Sequence, residues 1–135
     1  MRKYRILIAD DDDAHRILQR IILAQAAKNI DAELEIDETV DSIETRKVID
    51  KKRYDLIVLD NEFKDGQLRG HLPGIAILEM TRAAGPNMSS PVVFCTGDPY
   101  DTLKKMVEKY RAVYYPKASA DADEMQRLFA TLLGG

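Results

Sequence analysis

Residues 54–60 read Tyr-Asp-Leu-Ile-Val-Leu-Asp, a short apolar run that ends in a single aspartate. An unbroken run of Leu, Ile and Val is typical of a strand that is covered on both faces, as in a parallel sheet. The final residue, Asp60, is then expected at the carboxyl end of that strand. In open sheets of parallel strands, ligands bind beyond this end.

The same pattern recurs along the chain, and longer amphipathic segments separate the apolar runs. We predict buried strands over residues 5–9, 55–59, 91–96 and 112–115. Residues 33–37 alternate polar and apolar side chains, which favours a strand at the edge of the sheet. Alternation of strands and helices is typical of βα units on a parallel sheet.

Helices are predicted between these strands from apolar residues spaced three and four apart. The first covers residues 14–27, and Asp12 and Asp13 precede it as helix caps. The apolar stripe of this first helix consists of Ile17, Leu18, Ile21 and Ile22. The second helix, over residues 41–52, is predicted mainly from the position of these residues between two strands.

The later helices are indicated by their ends. The third helix is predicted to stop at Gly85 and the proline after it. The fourth helix is predicted to be capped by Asp98, with the following proline at its first position. Asp121 and Glu124 form a capping-box-like pair before the fifth helix. Gly134 ends the last helix. With right-handed crossovers, the chain is predicted to be of the α/β class, a doubly wound, five-stranded parallel sheet with five helices.

Composition excludes several classes of function. The 135 residues suit one domain, 45% are hydrophobic and 32% are charged, as in a soluble globular protein. A net charge of −3 argues against a nucleic-acid partner. No apolar run is long enough for membrane insertion, and no signal-peptide cleavage site is visible. The single cysteine, Cys95, fits a reducing cytoplasm, and its position in an apolar strand predicts an inert core thiol.

Polar residues follow the predicted strands where those strands end. Asp10 and Asp11 follow the first, Asp60 the third, Thr96 ends the fourth and Lys117 follows the fifth. Carboxylates that meet at one edge repel each other by about 4 kcal/mol per pair at ~4 Å near a protein surface. A divalent cation with oxygen ligands offsets this repulsion, and Mg²⁺ with an ammonium and a hydroxyl is what phosphoryl transfer needs.

Four segments carry a family resemblance: residues 6–11 (Ile-Leu-Ile-Ala-Asp-Asp), 54–60, 94–97 (Phe-Cys-Thr-Gly) and 114–117 (Tyr-Tyr-Pro-Lys). In this order and spacing the chain resembles the receiver domain of two-component response regulators, of the single-domain, chemotaxis-regulator-like kind. The resemblance implies a flavodoxin-like receiver fold over residues 1–135, with no output domain.

The resemblance also implies roles for individual residues. Asp60 would be the phosphoacceptor, and Lys117 would pair with the phosphoryl oxygens. Asp11 would bind Mg²⁺ directly and Asp10 mainly through water, while Glu62 would lend its backbone carbonyl to the ion.

The implied function is signalling by a change of shape. Thr96 would move to bond the phosphoryl group, and Tyr114 would turn inward as it does. A sensor histidine kinase or a histidine phosphotransfer protein would donate the phosphoryl group, and a downstream protein would read the result in the cytoplasm. The chain would not be a conventional enzyme, although slow loss of its own phosphoryl group is expected.

The sequence departs from the family pattern in three places, one of which is the short approach from the helix that ends near Tyr110 to the fifth strand. Residues 61–73 are longer than usual, Lys64 stands where proline is common, and Ala118 replaces the usual proline after the lysine. The altered loop leaves open a binding module that works without phosphorylation. A haloacid-dehalogenase-like phosphatase, in which Asp10 and Asp12 would be the paired aspartates, is a further alternative.

Two histidines receive no role at this stage. His15 follows the acidic cluster and is expected to be exposed. His71 lies in the long loop, where we expect a solvated side chain.

Overall fold

The computed structural model describes residues 1–64, 69–97, 100–119 and 121–134. Within these residues strands and helices alternate, as predicted. The strands are β1 (Arg2–Ala9), β2 (Ala32–Thr39), β3 (Leu56–Asp60), β4 (Val92–Thr96) and β5 (Val113–Pro116). The helices are α1 (Asp13–Asn29), α2 (Ser42–Lys51), α3 (Gly74–Ala83), α4 (Asp101–Lys109) and α5 (Ala122–Gly134), and a 3-10 turn covers Lys117–Ser119.

The strands form one parallel sheet in the order β2-β1-β3-β4-β5. The predicted α/β class and doubly wound sheet are therefore confirmed, and β2 lies at the edge as predicted. The chain moves outward from β1 to β2 and then returns past β1 to β3. This reversal of strand order places a crevice at the carboxyl ends of β1 and β3, where sheets of this kind bind ligands.

Both faces of the sheet are covered, which explains the unbroken apolar runs. Every residue of β3 and β4 is buried. Alternate residues of β1 enter opposite layers, since successive side chains of a strand point to opposite faces. One layer joins Ile6 and Ile8 to Phe129 of α5, and the other joins Leu7 to Ile77 of α3.

The face of α1 that packs on the sheet differs from the predicted stripe. Ile22 is buried, but Ile17, Leu18 and Ile21 are 48%, 41% and 53% exposed. The buried face instead contains the small residues Ala26 and Ala27 and the amide of Gln19. The spacing of large apolar residues alone therefore predicts the wrong face of α1 as the buried one. The buried residues of α1 are Gln19, Ile22, Leu23, Ala26 and Ala27.

Side-chain caps fix several helix starts. Asp12 accepts the N–H groups of Ala14 and His15, which confirms the predicted cap of α1. Asp121 accepts two N–H groups at the start of α5, also as predicted. The predicted Asp98 cap of α4 lies outside the described residues. None of the described helices combines the length and apolar character needed to cross a bilayer.

The long segment after β3 is closed at its base. The N–H of Gly74 donates to the carbonyl of Asn61 at 2.9 Å, and the Asn61 side chain accepts the N–H of Ile75 at 3.0 Å. The Asn61 amide thus caps α3, whose N-cap residue Pro73 has no capping side chain. A Cβ on Gly74 would lie 2.1 Å from the Asp60 carbonyl oxygen, so only glycine permits this approach.

We expect Gly74→Ala to lower the free energy of unfolding by about 1–3 kcal/mol, because the added methyl group forces the Asp60–Asn61 backbone to move. Chemical denaturation with urea measures this change. Gly97→Ala is the matched control, since a Cβ there meets nothing within 4 Å. Equal stability of the two variants would contradict the close approach at Gly74.

Candidate functional site

Three acids and one lysine meet at the carboxyl edge of the sheet. One carboxylate oxygen from each of Asp10, Asp11 and Asp60 lies within 4.8 Å of the others. The Lys117 ammonium is 3.2 Å from Asp10 Oδ2 and 3.3 Å from Asp60 Oδ1. The cluster opens into a cleft of about 460 Å³ that also borders Glu62. The predicted convergence of these strand ends is therefore present in the structure.

Strand register explains why these residues meet. Ala9 of β1 pairs with Leu59 of β3, so the next residues, Asp10 and Asp60, leave neighbouring strands side by side. On the other side of β3, Asp60 pairs with Cys95, which places Thr96 one residue further along β4. Register between β4 and β5 then brings the segment just after Pro116 to the same edge.

Asp10 is held by several donors. His15 Nδ1 lies 2.5 Å from its Oδ2, which also faces Lys117, and the N–H of Asp12 donates to Oδ1 at 2.9 Å. Burial acts to raise the pKa of Asp10, but the His15 contact, the Asp12 N–H and Lys117 outweigh it and lower that pKa. Asp10 is therefore a stable anion whose oxygens are engaged by protein donors.

The pKa of Asp60 is shifted in the opposite direction to that of Asp10. Only 2% of the residue is exposed. Burial and then the negative charge of Asp10 raise its pKa to about 8, although Lys117 acts to lower it. The single ammonium of Lys117 therefore does not balance the charge of the three carboxylates, whose oxygens could bind a cation. Hard divalent cations such as Mg²⁺ prefer such ligands, so the residues present fit the ion that the sequence predicted.

Lys117 responds to the same charges. Burial acts to lower the pKa of Lys117, but Asp60 and Asp10 outweigh it and raise that pKa. The ammonium therefore stays charged between the two carboxylates.

The end of β4 contributes hydrogen-bond donors to the site. The Thr96 side chain is completely buried, and its hydroxyl donates to Glu62 Oε1 at 2.8 Å. The Gly97 N–H lies 3.4 Å from Glu62 Oε2. Sequence reasoning assigned a role to the backbone carbonyl of Glu62 and missed its side chain, because no sequence pattern shows which way an exposed carboxylate turns.

Tyr114 lies on β5, paired in register with Phe94 and packed with Tyr110 against the core layer that contains α3 and α4. The residue is half-buried, and burial raises the pKa of its phenol. Its ring thus belongs to the layer between β5 and α4, next to the strand that ends in Thr96.

His15 is part of the site, contrary to the prediction that it is exposed. Its side chain is only 12% exposed and contacts Asp10. The amide of the buried Gln19 lies 3.2 Å from His15 Nδ1 and 3.8 Å from Cys95 Sγ. The sequence signal for this contact was available, because His15 and Gln19 are four residues apart on one helix that begins at the acidic cluster.

Other predicted residues have simpler environments. Cys95 is fully buried and burial raises its thiol pKa, in line with the inert core thiol that we expected. His71 is half-buried, not fully solvated, and its Nδ1 lies 3.4 Å from the Ser42 hydroxyl. The Asp12 carboxylate accepts the N–H groups of Ala14 and His15, and this capping role disfavours the phosphatase alternative.

No protein-family model matches the chain, and no curated protein matches it. Many solved structures do share its fold. A CheY-like response regulator receiver domain protein from Methanospirillum hungatei is 21% identical, with a TM-score of 0.72, over 96% of this chain and 93% of that one. A putative response regulator from Chloroflexus aurantiacus is 18% identical, with a TM-score of 0.78, over 99% and 100%.

A third similar structure has a metal in its cleft. The receiver domain of a sensor histidine kinase from Pseudomonas aeruginosa, with magnesium coordinated in its active-site cleft, is 17% identical, with a TM-score of 0.75, over 98% of this chain and 99% of that one. Identities of this size establish the fold. The chain has the fold of response-regulator receiver domains, along nearly its whole length.

The raised pKa of Asp60 predicts a pH-dependent stability. A carboxyl group with a raised pKa in the folded state stabilises the fold fully below its unfolded pKa of ~3.9 and loses that contribution as pH rises through the folded value. We therefore expect Asp60→Asn to be more stable than wild type without metal at about pH 8, by on the order of 2 kcal/mol, and no more stable near pH 4.

Urea denaturation across this pH range measures the difference, and Mg²⁺ should reduce it. Asp50→Asn removes an exposed carboxylate and serves as the control. A difference between wild type and Asp60→Asn that does not change with pH would contradict the raised pKa.

Proposed function

We propose that this chain is a phosphoacceptor receiver domain that takes a phosphoryl group onto Asp60 from a phosphohistidine, on a histidine kinase or a phosphotransfer protein. The observation that carries this proposal is the Lys117 ammonium between Asp10 and Asp60 beside the third carboxylate, Asp11. This arrangement provides a nucleophile, a fixed positive charge and an oxygen-rich cation site within one cleft.

In the reaction an Asp60 carboxylate oxygen attacks the phosphorus, the phosphorus–nitrogen bond of the donor breaks, and the donor ring nitrogen keeps the electron pair and takes up a proton from water to leave as neutral imidazole. The product is an acyl phosphate on Asp60. Lys117 offers its ammonium to the phosphoryl oxygens in place of the carboxylate contact that it makes at rest. Asp11, Asp60 and the Glu62 carbonyl would hold Mg²⁺, with Asp10 contributing through water, and the ion would supply charge neutralisation of those oxygens.

The signal follows from the new charge of nearly −2 at the strand end. Thr96 bonds the phosphoryl group, Tyr114 moves inward, and the face formed by α4, β5 and α5 binds a downstream protein. In this account the domain works in the cytoplasm, and it catalyses no turnover of an external substrate beyond its own phosphorylation and slow dephosphorylation.

The exposed apolar face of α1 suits the donor protein. Ile17, Leu18 and Ile21 lie within about three helical turns of Asp12, which borders the cleft. A donor that brings its histidine to Asp60 has to cover this neighbourhood, and apolar side chains are the ones that gain free energy from being covered.

Incubation of the protein with Mg²⁺ and acetyl phosphate should add the mass of one phosphoryl group to wild type and nothing to Asp60→Asn, because the amide is no nucleophile. Mass spectrometry of the intact protein measures this. Asp50→Asn, which changes an exposed aspartate of α2 that does not line the cleft, should label as wild type does. An adduct that persists in Asp60→Asn, or that never forms on wild type, would refute the proposal.

We expect Lys117→Ala to slow labelling by about 100-fold, the size typical of losing one preorganised charge contact to a transition state. The initial rate of adduct formation at saturating Mg²⁺ measures this effect. Lys109→Ala, at an exposed position on α4, is the control. Unchanged labelling of the Lys117 variant would remove the lysine from the mechanism.

A further inference from the structure

The side chain of Glu62 engages both described donors at the end of β4. Its Oε1 accepts the Thr96 hydroxyl at 2.8 Å, and its Oε2 lies 3.4 Å from the Gly97 N–H. Glu62 itself is exposed, whereas Thr96 is completely buried. One anionic group therefore reaches in from solvent and binds donors at the margin of the cleft.

These donors lie where an anion on Asp60 would need them. Thr96 follows Cys95, the register partner of Asp60, so the hydroxyl belongs to the strand next to the acceptor. The Asn61 N–H donates to the Cys95 carbonyl, which fixes this spacing. A phosphoryl group offers several strong acceptor oxygens, and the Thr96 hydroxyl and the Gly97 N–H at the end of β4 already contact Glu62.

The cleft cannot satisfy both acceptors at once. A hydroxyl has a single hydrogen to donate, so Thr96 bonds well to either the carboxylate or the phosphoryl oxygen. The two groups also carry charge of the same sign, and their repulsion grows as they approach. Glu62 is on the surface, so it can turn into water at little cost.

We propose that Glu62 is an internal competitor of the phosphoryl group: its carboxylate holds Thr96 and Gly97 in the resting protein and has to leave them when Asp60 carries a phosphoryl group. This inference rests on the proposed function, and it makes Glu62 a residue that sets how tightly the site holds the phosphoryl anion. The exchange replaces one O–H···O bond of Thr96 by another, and Glu62 returns when the phosphoryl group is lost.

Beryllium fluoride with Mg²⁺ is the probe, since it mimics a phosphoryl group on an aspartate without covalent transfer. Glu62→Gln removes the charge with nearly the same shape, and Glu62→Ala removes the side chain. We expect each to lower the beryllium fluoride dissociation constant by about tenfold, measured by calorimetry. An unchanged or weaker affinity in both variants overturns the proposal.

Asp12→Asn is the matched control, because Asp12 borders the same cleft and asparagine caps a helix equally well. It removes one negative charge without touching Thr96, so we expect a clearly smaller gain in affinity. A gain as large as that of Glu62→Gln would show that Glu62 acts only through the net charge of the cleft, which overturns the competition.

A double-mutant cycle tests the route through Thr96. In a Thr96→Ala background the donor for which Glu62 competes is gone, so Glu62→Gln should change the dissociation constant by less than about twofold. The full tenfold gain in that background would also overturn the proposal. Spectra of backbone amides verify that each variant is folded, and a shift of the Gly97 amide on Glu62→Gln is expected.

Acetyl phosphate labelling separates this proposal from the proposed function. If wild type is labelled on Asp60 but the Glu62 variants bind beryllium fluoride no more tightly, the competitor proposal alone is wrong. If neither wild type nor the Glu62 variants is labelled or binds the probe, the phosphoacceptor function is wrong and the competitor falls with it. Labelling of wild type on Asp60, together with tighter binding of beryllium fluoride by the Glu62 variants, would support both.

Discussion

The carboxyl edge of this sheet depends on the ion pairs of Lys117 with Asp10 and Asp60. Three carboxylates, with one oxygen from each within 4.8 Å, repel one another strongly at low exposure. Ammonium contacts of 3.2 and 3.3 Å offset part of this repulsion, and they link the residue after β5 to the residues that end β1 and β3. Strand register brings these groups together, and their charges then determine how the pKa of each one is shifted.

Because this repulsion is only partly offset, Asp10 and Asp60 differ in the direction of their pKa shifts. Asp10 accepts from His15, Lys117 and a backbone N–H, and its pKa is lowered, so it is an anion that the protein itself satisfies. Asp60 has fewer donors, and burial and the charge of Asp10 raise its pKa, so its surroundings disfavour the charged form. A cation beside Asp60 would favour that form, which couples the charge of this residue to cation binding.

The sequence was a good guide to the parts of the molecule that follow from strand direction. Residues 54–60 predicted β3 and its terminal acid, and parallel strand ends necessarily share an edge, so the meeting of Asp10, Asp60 and Lys117 could be anticipated. Apolar spacing was a poor guide to α1, because its buried face relies on alanines and on Gln19. The contact of the Glu62 carboxylate depends on side-chain direction, which spacing does not encode, whereas the four-residue spacing of His15 and Gln19 was visible in the sequence.

Because the segment after β3 is closed at its base, a change in its length does not require a change in the position of Asp60. Asn61 and Gly74 are bonded backbone to backbone, and Gly74 rests against the carbonyl of Asp60. The length of the chain between residues 64 and 70 can therefore change while Asp60 keeps its position. Glycine at 74 is the residue that such a change has to preserve, because any Cβ there would meet the backbone carbonyl of Asp60.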